Sequence, residues 1–419
     1  MSICGRESKV GPRIDSDRLW QSHMDMAEIG ATNGGGVCRL ALSNEDKEAR
    51  DLFVKWAEEA GCEVRIDKVG NIFARRRGEK PGLPPVMTGS HLDTQPLGGR
   101  FDGAYGVLAG LEAVRALNDL NLETRHPIDI VVWTDEEGCR FTTKTMGSAV
   151  FAGLCKEADV LDGLDPDDKR FGDELARIGY AGREPCGGFP IKAFFEAHIE
   201  QGPILEKEGI PIGAVMGAQA QRVFQVTVTG EEGHAGTVPM PLRRDAFLGV
   251  SRMAVALNEL AFHHTPNPVI TVGHVRVQPN SRNTIPGKTI FTIDSRHPEA
   301  KTLRLIKSEI AKACEDIGTN MGLTVEILET SISSVATFDS DLVESIRLAA
   351  AANSFACRDM FSGAGHDACK ISEVAPTAMI FVPCKDGVSH AEHEYSTPGD
   401  LAAGTQVLAQ VLSAAAVVI

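Results

Sequence analysis

Histidine and carboxylate side chains occur in this sequence in five short polar runs, at or just beyond the ends of apolar segments. The residues in these runs are His91, Asp93, Asp102, Glu136, Glu137, His198 and His390. A mixed set of imidazole and carboxylate ligands suits divalent zinc, manganese, cobalt or nickel. Two such ions a few ångströms apart need a bridging carboxylate, and an Asp can bridge through its two oxygens. The pattern therefore predicts a metal-binding site.

Each run has a plain structural interpretation when it is taken alone. A histidine two residues before an aspartate is common by chance, and a Glu-Glu pair is usually solvated on a surface. Glu136 and Glu137, however, closely follow the apolar run IDIVVWT, where a solvated pair is less expected. Asp93 lies two residues after His91 and is placed to fix the tautomer of that imidazole. The coincidence of five runs favours a site over five unrelated surface features.

The first 210 residues alternate between helical and strand patterns. Apolar residues at helical spacing predict helices over 45–61 and 102–117. The runs EVRI, NIFAR, PPVMTGSHLD and IDIVVWTDEEG predict strands around these helices. Alternating strands and helices indicate an α/β sheet with parallel strands. In such a sheet ligands bind beyond the carboxyl ends of the strands, which is where the polar runs stand.

The order of elements changes between residues 212 and 331. Patterns there predict a strand, a helix, two strands, a helix and a strand, which is the order of a ferredoxin-like module. The α/β pattern then resumes with a helix over 341–353, the strand TAMIFVP and a C-terminal helix that begins near Pro398. The predicted fold class is α/β, with a mixed, largely parallel sheet that has helices on both faces, interrupted by a ferredoxin-like α+β domain. The larger domain would contain residues 1–211 and 332–419, and the inserted domain residues 212–331.

Composition limits the classes of protein to which the chain can belong. Hydrophobic residues make up 43% and charged residues 24%, which is typical of a core-forming chain and excludes a disordered or collagen-like one. The formal net charge of −15 argues against nucleic-acid binding, which depends on clustered Lys and Arg. No apolar run approaches the roughly 20 residues of a membrane span, and the N-terminus has no signal-peptide pattern. The ten cysteines form no CxxC pair, which predicts reduced thiols in a cytoplasmic protein.

Seven motifs make the chain resemble one branch of the dinuclear metallopeptidase–aminoacylase superfamily. They are GSHLDTQPLGGRFDGAYGVLAGLEAVRAL, TDEEGCRF with MGSAVFAG, EAHIEQGPILE, GEEGHAGTVPM, PNSRNTIPGKTIFTIDSRH, SGAGHDA and VPCKDGVSHAEHEYS. The branch is that of the hydantoinase/carbamoylase amidases, which includes N-carbamoyl-L-amino-acid hydrolases, β-ureidopropionases and allantoate amidohydrolases. The resemblance extends from about residue 14 to the C-terminus.

The resemblance implies two divalent metal ions per subunit, with zinc, manganese, cobalt or nickel as the candidates. The implied ligands are His91 and His198 for one ion, Glu137 and His390 for the other, and Asp102 as the bridge between them. Glu136 is then the general base and not a ligand. Because every implied ligand is present, the resemblance argues against a non-catalytic protein that keeps only the fold.

The resemblance also implies that residues of both predicted domains bind the substrate. They are Gln201, His234, Asn283, Arg296 and His366. Other roles stay open: Arg296 could be a salt-bridged residue at a strand end, and His234 and Asn283 could be turn residues. His366 could cap the following helix. In the family the counterpart of His234 reaches the active site of the partner subunit. The resemblance therefore implies a homodimer that forms through the inserted domain, and this domain would also act as a lid.

The predicted function is metal-dependent hydrolysis of the carbamoyl group of an N-carbamoyl amino acid, with an L-α-amino acid or β-alanine as product beside ammonia and carbon dioxide. The expected partner is this small ureido acid, with neither nucleic acid nor membrane involved. Allantoate is the alternative substrate. It differs from a carbamoyl amino acid by a second ureido group, and β-alanine differs from an α-amino acid by one methylene, and the shape of the pocket decides between them. A dinuclear metallopeptidase or aminoacylase would use the same ligands and base, but the motifs EAHIEQG and SGAGHDA argue against it.

Overall fold

The computed structural model describes residues 11–141 and 143–417 as two compact units of helices and strands. The helices are α1 (Ser16–Glu28), α2 (Asn44–Glu59), α3 (Ala104–Asp119), α4 (Met146–Phe151), α5 (Glu157–Leu161), α6 (Phe171–Arg177), α7 (Ile204–Glu208), α8 (Ala246–Leu260), α9 (Ala300–Asn320), α10 (Ser340–Ala352), α11 (Asp367–Ile371) and α12 (Pro398–Val417). The strands are β1 (Glu63–Ile66), β2 (Ile72–Arg76), β3 (Val86–His91), β4 (Ile128–Trp133), β5 (Ala193–Ile199), β6 (Ile212–Ala218), β7 (Ala220–Thr229), β8 (Gly233–His234), β9 (Val269–Gln278), β10 (Thr284–Ile285), β11 (Lys288–His297), β12 (Thr324–Ser333), β13 (Ala336–Thr337), β14 (Cys357–Ser362) and β15 (Thr377–Val382).

The second unit is Ala218–Ala336, and the described residues on either side of it form the first unit. The strand β6 lies inside the predicted insertion of residues 212–331, yet it pairs with β15 in the sheet of the first unit. The chain therefore leaves the first unit after β6 and not before it. An apolar run such as IGAVMGA does not by itself show which of two sheets it joins, because strand pairing is a long-range contact.

The first unit is built on a nine-stranded sheet with the order β1-β2-β4-β3-β5-β15-β6-β13, in which β14 also pairs with β6. Its central strands β4, β3, β5 and β15 are mutually parallel. Their neighbours β2 and β6 are antiparallel to β4 and β15 respectively. This mixed, largely parallel sheet confirms the predicted fold class.

Helices cover both faces of the central strands. Every residue of β3, β4, β5 and β15 is buried, which requires packed elements on both faces of the sheet. The pair α3 and α12 packs on these strands, and so does the pair α4 and α11. The sequence of β15, TAMIFV, is almost continuously apolar and lacks a polar alternation, as this double cover requires.

The second unit contains a four-stranded antiparallel sheet with the order β12-β7-β11-β9. The helices α8 and α9 pack on it and form a core with Phe224, Val226, Met253, Ile306 and Ile310. Along the chain the elements follow the order β7-α8-β9-β11-α9-β12. That order is the one predicted for the ferredoxin-like module.

The C-terminal helix α12 is long and apolar enough to cross a membrane by length and composition. More than half of it is nevertheless buried inside the first unit. Leu401, Val407, Leu408 and Leu412 are fully enclosed, because α12 packs on α3, α10 and the sheet. These contacts identify α12 as a core helix.

Candidate active site

The candidate ligands of the first unit follow the carboxyl ends of parallel strands. His91 is the last residue of β3, and His198 is the last but one residue of β5. Glu136 and Glu137 follow β4, and His390 follows β15. Because neighbouring parallel strands end at the same edge, the fold collects at one edge residues that are far apart in the sequence.

Asp102 lies between two groups of potential metal ligands. Its Oδ1 is 3.2 Å from His198 Nε2 and 4.0 Å from His91 Nε2. Its Oδ2 is 3.2 Å from His390 Nε2, and that nitrogen is 3.7 Å from Glu137 Oε2. Within each group the ligand atoms lie no more than 4.8 Å from one another. One oxygen of Asp102 thus faces each group, which is the arrangement by which a carboxylate can serve two ions.

The turn that carries Asp102 depends on Gly103. The backbone of Gly103 has a φ of 66°, in the left-handed region that favours glycine. A Cβ at this position would lie 2.3 Å from the ring of His91. Glycine alone therefore lets the chain turn into α3 while Asp102 stays beside the histidines.

The two buried histidines are held in the tautomer that a metal ligand needs. Nδ1 of His91 donates to the backbone carbonyl of Asp93 at 2.8 Å, and Nδ1 of His198 donates to that of Ile199 at 2.9 Å. Each Nε2 is then the lone-pair nitrogen nearest to Asp102 Oδ1. Lone pairs that face a carboxylate oxygen repel it unless a cation or a proton lies between them. The donor set therefore fits a divalent cation.

A proton occupies this position when no cation does. Burial alone would lower the pKa of His198, but the hydrogen bond and the charge of Asp102 outweigh it and raise that pKa to about 9. Burial would likewise raise the pKa of Asp102, yet the hydrogen bonds from His198 and His390 hold it well below its usual range. Metal binding at this position would displace the proton.

Glu136 and Glu137 lie among other buried carboxylates. Burial first, and Asp367 second, raise the pKa of Glu136 well above its ordinary value. Burial and the charge of Asp102 raise the pKa of Glu137. Such crowding of negative charge costs free energy that a divalent cation would offset. Glu136 Oε2 is 3.7 Å from His91 Nε2, so this carboxylate borders the first ligand group without belonging to it.

Asp93 supports the site in a different way from the one predicted. Its backbone carbonyl, and not its carboxylate, accepts the hydrogen bond from His91. The carboxylate instead accepts the backbone N–H groups of Glu136 at 3.3 Å and Glu137 at 3.2 Å. Asp93 thus ties the end of β3 to the turn that follows β4.

Gln201 and His366, for which substrate contacts were predicted, lie beside the ligand groups in the first unit. Gln201 Nε2 donates to Asp102 Oδ2 at 3.0 Å, while Gln201 Oε1 is buried without a hydrogen-bond partner among the described residues. The rings of His366 and His198 have centroids 4.6 Å apart, and His366 Nε2 is 2.8 Å from Ser362 Oγ. Burial, with the nearby His198, lowers the pKa of His366 well below its usual value, so this imidazole is neutral.

The second unit carries the remaining three residues predicted to act on the substrate. The strands β8 and β10 pair, and the N–H of Ala235 donates to the carbonyl of Asn283 at 2.9 Å, so that His234 and Asn283 lie side by side. Both residues are exposed. Arg296, on β11, forms a two-bonded ion pair with Asp294, with N–O distances of 3.0 Å and 2.8 Å.

Three polar residues that the sequence analysis did not single out contact the candidate site. Gln95 Nε2 donates to Glu137 Oε2 at 2.6 Å. Glu196 is buried on β5 and accepts from Ser90 Oγ at 2.7 Å. The third residue is Glu394, which binds the turn before α3. Gln95 and Glu394 each lie four residues after a candidate histidine ligand, and that proximity is the signal by which the sequence points to them.

Comparisons with known proteins agree with this architecture. The family described as peptidase family M20/M25/M40 matches residues 87–414. An N-carbamoyl-L-amino-acid amidohydrolase of Rhizobium meliloti is 45% identical over 94% of this chain and 95% of its own length. The allantoate amidohydrolase of Escherichia coli is 35% identical over 92% of this chain and 95% of its own. The crystal structure of a hydantoinase/carbamoylase family amidase from Burkholderia multivorans is 50% identical, with a TM-score of 0.94, and the match covers 96% of this chain and 98% of that one.

An α/β unit interrupted by a ferredoxin-like unit, with metal-ligand groups at the carboxyl edge of its sheet, is an architecture of metal-dependent peptidases and amidases. The chain belongs to peptidase family M20/M25/M40, and within it to the hydantoinase/carbamoylase branch.

Proposed function

We propose that the chain is a metal-dependent amidohydrolase that removes the carbamoyl group of an N-carbamoyl amino acid, either an L-α-amino acid or β-alanine. The observation that carries this proposal is that Asp102 directs one oxygen to each of two ligand groups, with Glu136 beside them. The near full-length similarity to N-carbamoyl-L-amino-acid amidohydrolases supports it. The products are the amino acid, ammonia and carbon dioxide. We place the reaction in the cytoplasm, in accord with the free thiols of the described cysteines.

Two divalent ions suit this donor set, with zinc, manganese, cobalt and nickel as the candidates. His91 and His198 would hold one ion, Glu137 and His390 would hold the other, and Asp102 would serve both. When bound, such ions activate water and polarise the carbonyl of the ureido group. The side chain of His390 is 48% exposed, against 1% for His198, so substrate would reach the second group more directly.

Glu136 serves as the general base. Burial and neighbouring carboxylates raise its pKa, so it holds a proton more readily at neutral pH than an ordinary carboxylate does. It accepts one proton from the attacking water and delivers that proton to the nitrogen that leaves the carbamoyl carbon. The oxygen of the water first forms the new C–O bond, the C–N bond then breaks, and Glu136 returns to its starting state. The carbamic acid that remains decomposes to carbon dioxide and the second amine, which accounts for both the ammonia and the amino acid.

The remaining predicted residues bind the substrate. Arg296 with Asn283 holds the substrate carboxylate, for which a planar guanidinium is well suited. Gln201 contacts the ureido group, and the unpartnered Oε1 of Gln201 supports this assignment. His366 lines the site as a neutral imidazole. His234 stabilises the oxyanion that develops on the carbamoyl group.

We also propose that two copies of the chain associate through the second unit, which then acts as a lid. The helix α8 exposes Phe247, Leu248 and Val255, and the edge strand β9 exposes Val269 and Val275. Exposed apolar side chains and unpaired backbone groups at a sheet edge favour association. In such a dimer His234 of one copy would complete the site of the other.

Ammonia release from an N-carbamoyl-L-α-amino acid, N-carbamoyl-β-alanine and allantoate tests the proposal. We expect the highest kcat/KM for a carbamoyl amino acid, loss of activity after dialysis against a chelator, and recovery with added manganese, cobalt, nickel or zinc. A higher kcat/KM for allantoate would assign the alternative substrate. Full activity in a preparation shown to contain no metal, or release of acyl groups in place of ammonia, would contradict the proposal.

A further inference from the structure

Glu394 is a buried carboxylate in the polar run after β15, and the proposed reaction gives it no role. The residue is 3% exposed. One of its oxygens, Oε1, accepts the backbone N–H groups of Phe101 and Asp102, both at 3.0 Å. The other, Oε2, accepts the hydroxyl of Ser389 at 3.0 Å. A single carboxylate is thus shared between the turn before α3 and the loop that carries His390.

Both contacts of Glu394 end next to candidate ligands. The turn carries Asp102, and Ser389 directly precedes His390, whose backbone has a φ of 56° in the left-handed region. Ser389 Oγ is also 3.3 Å from Asp102 Oδ2. Glu394, which lies 292 residues after Asp102 in the sequence, therefore links this aspartate to the loop that carries His390.

The backbone around Glu394 is shaped to admit its side chain. A Cβ at Gly99 would lie 2.0 Å from the carboxyl carbon of Glu394. Glycine at this position therefore leaves the room that the carboxylate occupies. If the carboxylate were removed, the N–H groups of Phe101 and Asp102 would lose their acceptor, and the turn would have to rearrange to find another.

We propose that Glu394 is a positioning residue for the metal site, and that it holds Asp102 and His390 at the spacing that two divalent ions require. The inference rests on the proposed function, because the ions belong to it. Glu394 is not part of either ligand group and acts through two backbone amides and one hydroxyl. Groups that orient metal ligands typically change metal affinity by about 10–100-fold when they are removed.

Glu392 provides a matched control in the same segment. It is half-buried and accepts the hydroxyl of Thr32 at 2.5 Å. Its carboxylate fills the space above Gly34, where a Cβ would lie 2.2 Å from Oε2. Glu392→Ala would therefore loosen the docking of this segment without removing the acceptor of the Asp102 N–H.

The experiment titrates the metal-free, full-length chain with Mn²⁺ by calorimetry and with Co²⁺ by visible absorption. We expect Glu394→Ala to weaken binding of at least one ion by about 10–100-fold and to change the Co²⁺ spectrum. Glu394→Gln should stay closer to the wild type, because its oxygen can accept both amides and Ser389 can reverse its hydroxyl. Glu392→Ala should bind as the wild type does.

Wild-type affinity in folded Glu394→Ala would overturn the inference. Equal losses in Glu394→Ala and Glu392→Ala would overturn it as well, since the effect would then come from docking of the segment. If Glu394→Ala does not fold by circular dichroism, Glu394→Asp replaces it, and an unchanged affinity in that shorter variant refutes the inference. A wild-type chain that binds no divalent ion would refute the proposed function itself, which is a different result.

Discussion

At the scale of the residue, the orientation of the Asp102 side chain brings the separate polar runs together into one candidate metal site. Asp102 Oδ1 faces His91 and His198, and Asp102 Oδ2 faces His390. Two residues that are adjacent in the sequence also differ in their position relative to the ligand groups. Glu137 belongs to a ligand group, whereas Glu136 borders one and has a pKa well above its ordinary value because of burial.

This difference predicts separate outcomes for two adjacent substitutions. Glu136→Gln should keep its metal while kcat falls by about 10²–10⁴-fold, because a general base is lost and no ligand is. Glu137→Gln should lose metal as well as rate. Metal content by elemental analysis and ammonia release measure both effects, and the exposed Glu373→Gln is the control. Equal metal content and equal rates in the two variants would disprove the assignment of their roles.

At the scale of the element, α1 packs on the start of α3 and on the turn before it through the buried imidazole of His23. His23 lies 5.6 Å from the ring of Phe101 and 6.0 Å from that of Tyr105 between ring centroids. Neither ring nitrogen of His23 has a hydrogen-bond partner among the described residues. Burial therefore lowers its pKa to about 3, and the packing of α1 depends on a neutral ring.

The lowered pKa predicts how the stability of the first unit depends on pH. Below about pH 6.5 the unfolded chain binds a proton at His23 that the folded chain does not bind, so the free energy of unfolding falls as the pH falls towards 3. This contribution amounts to about 1.4 kcal/mol per pH unit and is absent from His23→Leu. Urea denaturation of both proteins across this range should show that the free energy of unfolding falls less steeply with falling pH in the variant than in the wild type. Parallel pH curves would contradict the prediction.

At the scale of the whole molecule, the proposed catalytic residues are divided between two units. The candidate ligands, Gln201 and His366 belong to the first unit, whereas His234, Asn283 and Arg296 belong to the second. The second unit also exposes apolar side chains on α8 and β9. We therefore expect activity to depend on a dimer in which the sites are shared.

A mixed dimer tests this expectation. A His234→Ala chain is combined with a Glu136→Gln chain, each of which should be nearly inactive alone. If sites are shared, one site of the mixed dimer carries both substitutions and the other carries neither. Activity should then recover to about half of the wild-type value per dimer, if the two sites act independently. No recovery in dimers proven to have exchanged subunits would show that His234 does not act across the interface.

The sequence by itself determined the types of many elements and the edge of the sheet at which the candidate ligands lie. Apolar periodicity is a local property, so the helices near 45–61 and 341–353 and the strand TAMIFVP were predicted close to their observed bounds. The carboxyl-end rule for parallel strands then located His91 and His198 from the same patterns. The family motifs added the proposed role of each candidate ligand, which spacing alone does not supply.

The tertiary structure alone decided which groups meet. In three such contacts β6 joins the larger sheet, the backbone carbonyl of Asp93 accepts from the ring of His91, and Glu394 accepts from the Asp102 turn. Each of them involves at least one backbone group. Backbone amides and carbonyls are the same in every residue apart from proline, so no pattern of side chains marks which of them will pair. Their partners are selected only when the packed strands and turns bring them within hydrogen-bond distance.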